Sequence, residues 1–534
     1  MLTSNKKDEY FKFIYYALYI VVACLLFLDR FDSLKTFDVD LMWHIRGGEE
    51  IVRTGTISLV NNFSWIEGTI WTQQEWLFDV LIYLITRYTG IIGFAFFGFV
   101  VVGLSYAVPY FTNNWKFKIL SVVAYYHLYI IFNVNTINRS MWLGTLIVYT
   151  LMRLYDGVND NVKRNLILVF LLGVLVSNFH SGLIVAVLPM FAVCIIADVY
   201  FLFRFDHPSR KKYISIHFGF IALFLVGYCF NPLGIYRFVE MFKVPFYTST
   251  SNIPEWRAMN ITGALSAFLL FAVVVTIGYG FSVALRKKDL TECRHILVSG
   301  SLVCLGIMSQ KSGILPTFFF MAYAYKYFEL LLSDIFVSGT KIEKLLTSLQ
   351  CSSISKTKWV PFPLVVVVAF LIALPLSMRL ESFDDYVKHE YARSYFADKT
   401  KDGKYCSNIV SQEILDYLRG VCDTDDFSIL NSYIMGNYLI WERIPTFIDS
   451  RQYPYIAGAT AGDCTALDDL NALTNSDVSE FQQFLDKYEF QYVVTGNNRV
   501  VYNETIARNI GLCDNYELIM YDEDAAWYLY RRIE

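Results

Sequence analysis

The chain has 534 residues, of which 55% are hydrophobic, 17% aromatic and 18% charged, and its mean hydropathy is +0.39. Soluble domains carry about 25% charged residues, so this composition indicates a membrane protein and argues against a soluble enzyme. The formal net charge of −4 gives no sign of a nucleic-acid partner.

The first apolar run is expected to be a membrane-spanning helix. It follows Lys6, Lys7 and Lys12 and has no small-residue cleavage site, so a cleaved signal peptide is not expected. A spanning helix needs about 20 apolar residues, and about 11 runs qualify. These candidates are 13–29, 91–111, 118–134, 141–155, 165–179, 182–203, 214–230, 262–285, 295–309, 314–332 and 360–379.

The stretch EWLFDVLIYLITRY (75–88) either spans the membrane or lies in its interface as an amphipathic helix, since Asp79 and Arg87 interrupt its apolar stripe. Cytoplasmic loops collect Lys and Arg. A flat helix places every basic cluster inside, whereas a spanning helix moves RKKY (210–213) and RKKD (286–289) outside. We therefore expect a flat helix, a cytoplasmic N-terminus and a multi-pass protein of the cytoplasmic (inner) membrane.

The C-terminal segment 380–534 has a soluble composition and is expected to be extracytoplasmic, after a transmembrane module of 1–379. The stretches FSILNSYIMGNYLIW, PTFIDSR, FQYVVTG and AWYLYRRI are typical of short strands, and VSQEILDYLRG, DVSEFQQFLDKYE and ETIARNIG are typical of helices. Alternating strands and helices predict a small α/β domain. Its cysteines permit disulfides, but their spacing specifies none: Cys406, Cys422, Cys464 and Cys513.

Two carboxylates one residue apart, Asp38 and Asp40, follow the first apolar run in the predicted outer loop 30–90. One of them can act as a general base on an attacking hydroxyl, or the pair can hold Mg²⁺ or Mn²⁺ through oxygen ligands. Either role fits the transfer of a group that is carried on a phosphate. An Asp-x-Asp in an exposed loop can also be a solvated surface feature and nothing more.

Three further polar side chains stand at the predicted outer ends of other helices: Arg139, His180 and Lys311. A departing phosphate needs positive donors, and Arg suits it especially well. Arg139 and Lys311 could instead extend to lipid headgroups, and His180, beside Asn178, could be a hydrogen-bonded core residue. Because all three share one predicted side of the membrane with the Asp pair, they favour a site for a lipid-phosphate-linked substrate.

The segment DVDLMWHIRGGEEIVRTGTISLVNNFSWIEGTIWTQQEWL resembles the first outer loop of a bacterial family of multi-spanning GT-C-type glycosyltransferases, and the resemblance continues in order through NRSMWLG, NFHSG, NPLG, PEW, GNYLIW and FIDSR. It implies a GT-C-like α-helical polytopic membrane protein, an amphipathic helix in the first outer loop, and a polyprenyl-phosphate or polyprenyl-diphosphate sugar as donor. The chain departs from the family at NNFS, where an Asp-Pro-Phe-Ser turn is usual. It also departs at Gln74, where His or Asn is usual, and at Lys311, where Arg is frequent.

The resemblance maps the catalytic carboxylate onto Asp40 or Asp38, and Asp40 is preferred because it directly precedes the Leu-x-Trp-His run. We expect inverting transfer of a hexosyl or pentosyl unit to a cell-envelope glycan or lipid acceptor, with Asp38 supporting Asp40 or holding a metal. The donor phosphate is expected to bind three residues: Arg139, His180 and Lys311. Three others are expected to position the first loop: Trp43, His44 and Glu75. Two residues of the outer domain could contact the acceptor or form an internal salt bridge: Asp449 and Arg451.

Two other classes of protein fit parts of the sequence. A transporter or flippase for lipid-linked sugars predicts polar residues at the bilayer midplane and inverted repeats, whereas here the polar residues cluster at helix ends and no repeat is evident. A non-catalytic membrane protein of glycan assembly predicts that the Asp pair is dispensable and that the outer domain is not. The partners expected for the transferase are the lipid-linked sugar donor, the glycan or lipid acceptor and the membrane lipids.

Overall fold

The computed structural model describes residues 40–71, 73–112, 139–205, 208–243, 258–259, 263–335, 382–388, 411–456, 464–474, 476–496, 501–522 and 527–533, with isolated positions between 121 and 132. Four predictions lie outside these residues: the helices 13–29 and 360–379, Asp38, and Cys406. Of the predicted helix 118–134, only isolated positions are described.

Contacts between residues divide the chain into two compact units. The helical unit comprises Met1–Asp32, Ala95–Pro245 and Ile253–Arg379, and the loop–domain unit comprises Ser33–Phe94, Phe246–Asn252 and Leu380–Glu534. In this division the first loop groups with the C-terminal domain, whereas the predicted boundaries place residues 30–90 with the transmembrane module of 1–379. The physical reason is apolar burial, because Trp65 and Ile66 of the loop pack against the core of the domain.

The first loop supplies α1 (Asp40–Thr54) and the first part of α2 (Trp76–Thr112). α2 is broken at Gly90, whose φ of 59° and ψ of −152° lie outside the helical region. Glycine adopts this conformation readily because it has no Cβ. The break separates the predicted helix 75–88 from the predicted span 91–111, so both helices form where their apolar patterns placed them.

The described part of the helical unit is otherwise built from helices. They are α3 (Arg139–Asp156), α4 (Val162–Phe179), α5 (Ile184–Arg204), α6 (Arg210–Tyr228), α7 (Ile235–Lys243), α8 (Ala264–Lys287), α9 (Leu290–Met308), α10 (Ile314–Phe319) and α11 (Tyr325–Ile335). Short helical turns lie at Ser181–Leu183 and Gln310–Ser312, and a π-helical turn at Phe320–Ala324 joins α10 to α11. Each predicted span from 141–155 to 314–332 coincides with a part of this helical set.

Within the described residues, five helices are long and apolar enough to cross a membrane. They are Trp76–Gly98, Val162–Phe179, Ser181–Arg204, Ser266–Lys287 and Leu290–Met308. The number of about 11 spans stays a prediction, because three of the candidate runs lie wholly or mostly outside the described residues: 13–29, 118–134 and 360–379. The interfacial orientation of 75–88 also stays a prediction.

α4 and α6 cross at very short range. A Cβ added at Gly173 would lie 2.3 Å from the carbonyl oxygen of Phe224, and one added at Gly227 would lie 2.2 Å from that of Phe170. Small residues allow membrane helices to approach closely and gain van der Waals contact where no hydrophobic effect drives them together. The crossing fixes α4 and, at its C-terminal end, His180.

Buried ion pairs join α3, α5 and α9 at the end of α3 that is remote from Arg139. Arg294 contacts Asp156 Oδ1 with Nη1 at 3.0 Å and Asp198 Oδ1 with Nε at 2.8 Å. His295 Nε2 lies 2.7 Å from Asp156 Oδ2, and the Tyr155 hydroxyl donates to Asp198 Oδ2 at 2.8 Å. Pairing of this kind offsets the cost of placing charges in an apolar helical unit.

The C-terminal domain contains a four-stranded sheet in the order β1–β2–β4–β3. The strands are β1 (Ile429–Leu430), β2 (Tyr492–Gly496), β3 (Tyr516–Asp522) and β4 (Trp527–Arg532). β1 runs parallel to β2, and the other two neighbouring pairs are antiparallel. The helices are α12 (Gln412–Val421), α13 (Tyr433–Trp441), α14 (Ala466–Ala472), α15 (Val478–Tyr488) and α16 (Val501–Ile510).

Two of the four predicted strands are wrong. In FSILNSYIMGNYLIW only β1 is a strand, and α13 begins after Ser432, whose side chain accepts a hydrogen bond from the Met435 backbone N–H at 3.4 Å. α13 is buried on nearly every side, so it lacks the polar face that marks most helices in a sequence. PTFIDSR forms no strand, although the structure describes all of it. The described cysteines of this domain are free thiols: Cys422, Cys464 and Cys513.

Candidate functional site

Asp40 is the first residue of α1 and is half-buried. Its Oδ1 accepts a hydrogen bond from Trp43 Nε1 at 3.2 Å and another from the Ser450 hydroxyl. Ser450 is itself fixed by Asn437, whose Oδ1 accepts from the Ser450 backbone N–H at 3.0 Å. The N-terminus of a helix favours negative charge, so the local backbone and two side chains all suit a carboxylate at this position.

Trp43 and His44 form a stacked pair behind Asp40, with ring centroids 3.7 Å apart. His44 Nδ1 lies 2.5 Å from Asp79 Oδ1, and His44 Nε2 lies 3.9 Å from Glu75 Oε2. Asp79 is fully buried. The two acidic residues are four positions apart, which places them on one face of the chain as it enters α2.

The carboxylates around His44 favour its protonated form. Burial alone lowers the pKa of His44, but the neighbouring carboxylates of Asp79, Glu75 and Asp40 outweigh burial and raise the pKa to about 9. A cation over an aromatic face is attracted by the electrons of the ring. Trp43 is therefore held both through its indole N–H and through its ring face.

Two adjacent glycines bring α1 onto α2. A Cβ added at Gly48 would lie 2.1 Å from the carbonyl oxygen of Asp79, and one added at Gly47 would lie 2.8 Å from the ring of Trp71. Any side chain at these positions would force the two helices apart. The glycine pair thus explains how Asp79 comes within hydrogen-bond distance of His44.

Arg46 fastens α1 to the C-terminal end of α13. Its Nε donates to the carbonyl oxygen of Trp441 at 2.9 Å, and its guanidinium lies 4.7 Å from the centre of the Trp441 ring. Cations are stabilised at helix C-termini, where the last carbonyl groups carry partial negative charge. Glu49 accepts a hydrogen bond from Arg46 Nη1 at 2.6 Å and holds the guanidinium from the other side.

Asp449 and Arg451 form an internal salt bridge. Arg451 donates from Nε to Asp449 Oδ1 at 2.8 Å and from Nη2 to Asp449 Oδ2 at 2.6 Å, and both side chains are buried. The Tyr455 hydroxyl donates to Asp449 Oδ2 at 2.5 Å, and the guanidinium lies 4.6 Å from the Trp71 ring. Of the two roles considered for this pair, the geometry favours the structural one: it fixes the turn that presents Ser450 to Asp40.

The residues predicted to bind phosphate all lie in the helical unit, at or beside the ends of helices. His180 follows α4, and its Nδ1 lies 3.1 Å from the hydroxyl of Ser140 at the start of α3, the helix that Arg139 begins. Lys311 lies in the turn Gln310–Ser312, which leads into α10, and α10 packs against α3. Ser140 thus brings the backbone positions of Arg139 and His180 together, and a shared site with Lys311 stays a prediction.

An ion pair that the sequence did not reveal lies near His180. Arg237 Nη1 contacts Glu240 Oε2 at 2.6 Å, and both side chains are buried on α7. α7 packs against the turn Ser181–Leu183, and the Tyr228 hydroxyl donates to the carbonyl oxygen of Ser181 at 2.9 Å. Arg237 and Glu240 are buried, whereas Tyr236 and Val239 are exposed, which reverses the usual pattern of a helix in a soluble protein; only the terminal Lys243 among the charged residues of α7 is exposed.

A metal site is only partly supported by the residues present. No group of three or more His, Cys, Asp or Glu side chains that could hold a metal occurs in the described ranges. Asp40 and Ser450 bring two oxygen atoms together, but Mg²⁺ and Mn²⁺ prefer several oxygen ligands. Asp38 lies outside the described residues, so metal binding by Asp38 and Asp40 stays a prediction.

The sequence named Asp40, Trp43, His44 and Glu75 but missed the residues that hold them. Asp79 had a usable signal, since a carboxylate inside an apolar helical stripe and four positions after Glu75 must find a partner. Ser450 lies within the FIDSR motif, but nothing in the sequence paired it with Asp40, which is 410 positions away, and only the folded chain brings them together.

The chain is similar in fold to solved structures of the oligosaccharyltransferase of the archaeon Archaeoglobus fulgidus, a GT-C-type glycosyltransferase. One of them is tethered by a disulfide bond to an acceptor peptide containing the NVT sequon. It matches with a TM-score of 0.51 at 11% identity, and the alignment covers 98% of this chain and 75% of the oligosaccharyltransferase chain. An apo form has a TM-score of 0.47 at 12% identity, over 90% of this chain and 69% of its own.

A third structure, archaeal oligosaccharyltransferase AglB with an inhibitory peptide and a dolichol-phosphate, has a TM-score of 0.43 at 12% identity, over 91% of this chain and 70% of its own. No family model matches the sequence, and no curated protein matches it either. At 11% identity, the likeness with a TM-score of 0.51 shows a shared GT-C fold, and the bacterial family inferred from the motifs stays a prediction.

Proposed function

We propose that this protein is a membrane glycosyltransferase that moves a sugar from a polyprenyl-phosphate-linked donor to a cell-envelope glycan or lipid acceptor. The observation that carries the proposal is the half-buried carboxylate of Asp40, oriented by Trp43 and Ser450. It stands at the start of the first loop of a chain with the fold of an oligosaccharyltransferase.

The chemistry assigned to Asp40 is general base catalysis. The acceptor hydroxyl gives its proton to Asp40 as its oxygen bonds to the anomeric carbon, and the bond from that carbon to the phosphate oxygen breaks on the opposite face. The configuration of the sugar is inverted, and the electron pair leaves with the phosphate. Three residues bind the departing phosphate: Arg139, His180 and Lys311. Asp38 supports Asp40, alone or with a bound Mg²⁺ or Mn²⁺.

The proposed location follows from the same chemistry. A polyprenyl tail is soluble only in lipid, so the enzyme is a multi-pass protein of the cell membrane that presents the sugar at the outer surface. In this arrangement the N-terminus is cytoplasmic and the loop–domain unit is extracytoplasmic.

The test is release of polyprenyl phosphate by the purified protein. The donors are polyprenyl-phosphate sugars, and the acceptors include extracted envelope glycan, lipid and a sequon peptide, because one solved structure of this fold carries an NVT peptide. Asp40→Asn keeps an oxygen that accepts from Trp43 and Ser450 but cannot take a proton. We expect it to lower release by about 100-fold or more.

Glu67→Gln is the matched control, because Glu67 is an exposed carboxylate of the same loop and its loss changes the net charge equally. Release should be the same for this variant and the wild type. Equal release by Asp40→Asn and the wild type would remove Asp40 from the chemistry. No release by the wild type with any donor, with Mg²⁺ and Mn²⁺ supplied, would favour a flippase or a non-catalytic protein of glycan assembly.

A further inference from the structure

Trp43 is held on three sides. Its Nε1 lies 3.2 Å from Asp40 Oδ1 and 3.1 Å from Ser450 Oγ, so the indole N–H is shared between two acceptors. One ring face stacks on His44, and Trp71 meets the indole edge-on with ring centroids 6.1 Å apart. These contacts leave the indole a single orientation, which also sets the direction of its N–H.

The stack between Trp43 and His44 does not arise from the helix itself. Side chains of consecutive helical residues do not face each other, so a neighbour outside α1 must hold one of the rings. Asp79 of α2 does this for His44, at 2.5 Å, and Phe78 meets the imidazole edge-on at 5.1 Å between ring centroids. Asp79 is fully buried, and its Oδ1 contact with His44 fixes the orientation of the imidazole.

We propose that His44 and Asp79 are positioning residues for Asp40. Asp79 holds the imidazole of His44, the imidazole holds the indole face of Trp43, and the indole N–H holds the Asp40 carboxylate in the orientation that takes the proton of the acceptor. The effect on the reaction rests on the proposed function. The arrangement of the four side chains can be measured separately, without the reaction. This proposal differs from a general structural role of Asp79 because it requires that Asp79 acts on catalysis only through Trp43.

A double-mutant cycle tests that requirement. Trp43→Phe keeps a ring to stack on His44 but removes the N–H that Asp40 accepts, and Asp79→Asn keeps the size of the side chain but removes its charge. We expect each variant to lower kcat about tenfold while KM changes by less than about twofold. The double variant should be no slower than the slower single variant, because both changes break one chain of contacts.

Additive effects in the double variant would overturn the proposal, because they would mean that Asp79 supports activity by a route that does not pass through Trp43. A rise in KM with unchanged kcat would also overturn it, since that pattern marks lost substrate binding. Glu67→Gln again serves as the control for a change of charge in the first loop.

A spectroscopic measurement needs no turnover. The near-ultraviolet circular dichroism of the wild type, minus that of Trp43→Phe, isolates the signal of an indole in a fixed asymmetric environment. We expect Asp79→Asn to lose most of this signal, and His44→Gln takes its place if Asp79→Asn does not fold. An unchanged Trp43 signal in a folded variant would overturn the proposal.

The two readouts separate this inference from the proposed function. Failure of Asp40→Asn to lower release would reject the assigned role of Asp40 and with it this inference. If the wild type released no polyprenyl phosphate but Asp79→Asn lost the Trp43 signal, the transferase function would be rejected. The inference that His44 and Asp79 orient Asp40 would still hold. Normal release and a Trp43 signal that does not depend on Asp79 would reject only the inference.

Discussion

At the scale of single residues, the proton on His44 links the stability of the loop–domain unit to pH. The groups that face His44 are Asp79 from α2, Glu75 directly before α2 and Asp40 from its own helix. The pKa of His44 rises from an ordinary value of 6.5 to about 9 on folding, so the folded state binds the proton more tightly. This stabilisation is complete below the unfolded pKa and is lost as the pH rises through the folded pKa.

We therefore expect the stability advantage of the wild type over His44→Gln to shrink between about pH 6.5 and pH 9. A pKa shift of this size corresponds to at most about 3 kcal/mol. Thermal unfolding of both proteins across this pH range measures the difference directly. A constant difference at every pH would show that His44 holds no extra proton in the folded state.

The salt bridge between Asp449 and Arg451 gives a second prediction at this scale. Asp449→Asn leaves the buried guanidinium without its counter-charge, which costs about 3–5 kcal/mol. The control is Glu517→Gln, which breaks the exposed pair Glu517–Arg531 and should cost less than about 1 kcal/mol. Unfolding of both variants measured in denaturant distinguishes the two costs. Similar small costs would contradict a structural role and return the pair to the acceptor-binding hypothesis.

At the scale of the elements, the crossing of α4 and α6 depends on the absence of two side chains. Gly173→Ala would place a methyl group 2.3 Å from the carbonyl oxygen of Phe224 and should destabilise the helical unit by about 1–3 kcal/mol. Gly219→Ala on α6 meets no atom within 4 Å and should be neutral or slightly stabilising. Thermal unfolding in detergent measures both. Equal melting temperatures would show that α4 and α6 are not in close contact.

The sequence predicted the elements well wherever the determining information is local. Except for α7, the helices from α3 to α11 appeared as apolar runs, and the break at Gly90 separated the two expected parts of α2. α7 lies between the predicted runs 214–230 and 262–285 and was missed. The other errors occurred in the C-terminal domain, where β3 was missed and α13 was assigned as strand. A short helix that is buried on all sides and a short apolar strand have the same composition, so tertiary contacts decide between them.

At the scale of the whole molecule, the sequence predicted a soluble C-terminal domain but not the residues that complete it. Trp65 donates from Nε1 to the carbonyl oxygen of Ile429 at 3.0 Å, and the Thr446 backbone N–H donates to the carbonyl oxygen of Phe63 at 2.9 Å. These contacts join distant parts of the chain. Trp65 and Ile429 are 364 positions apart, and Phe63 and Thr446 are 383 positions apart. Hydropathy and motif spacing carry no information at that range.

The role of the first loop can be tested through Trp65, whose ring lies 6.0 Å from that of Phe447 and 5.7 Å from that of Phe490. Trp65→Ala removes a half-buried ring from the core of the domain, which should cost about 2–3 kcal/mol. Amide hydrogen exchange through opening of the loop–domain unit should then be roughly 30- to 150-fold faster in β2 and α15. Exchange in α4 and α9 should not change, because they belong to the helical unit.

Val60→Ala is the control for this experiment, since Val60 lies in the same loop and is 62% exposed. It should leave exchange in β2 and α15 at the rate of the wild type. Faster exchange confined to the first loop in Trp65→Ala would mean that the loop rests on the domain without stabilising it. Faster exchange in α4 and α9 as well would mean that the two units unfold together. Faster exchange in β2 and α15 alone is the pattern that requires the loop bearing Asp40 to be part of the same core as the segment bearing Ser450.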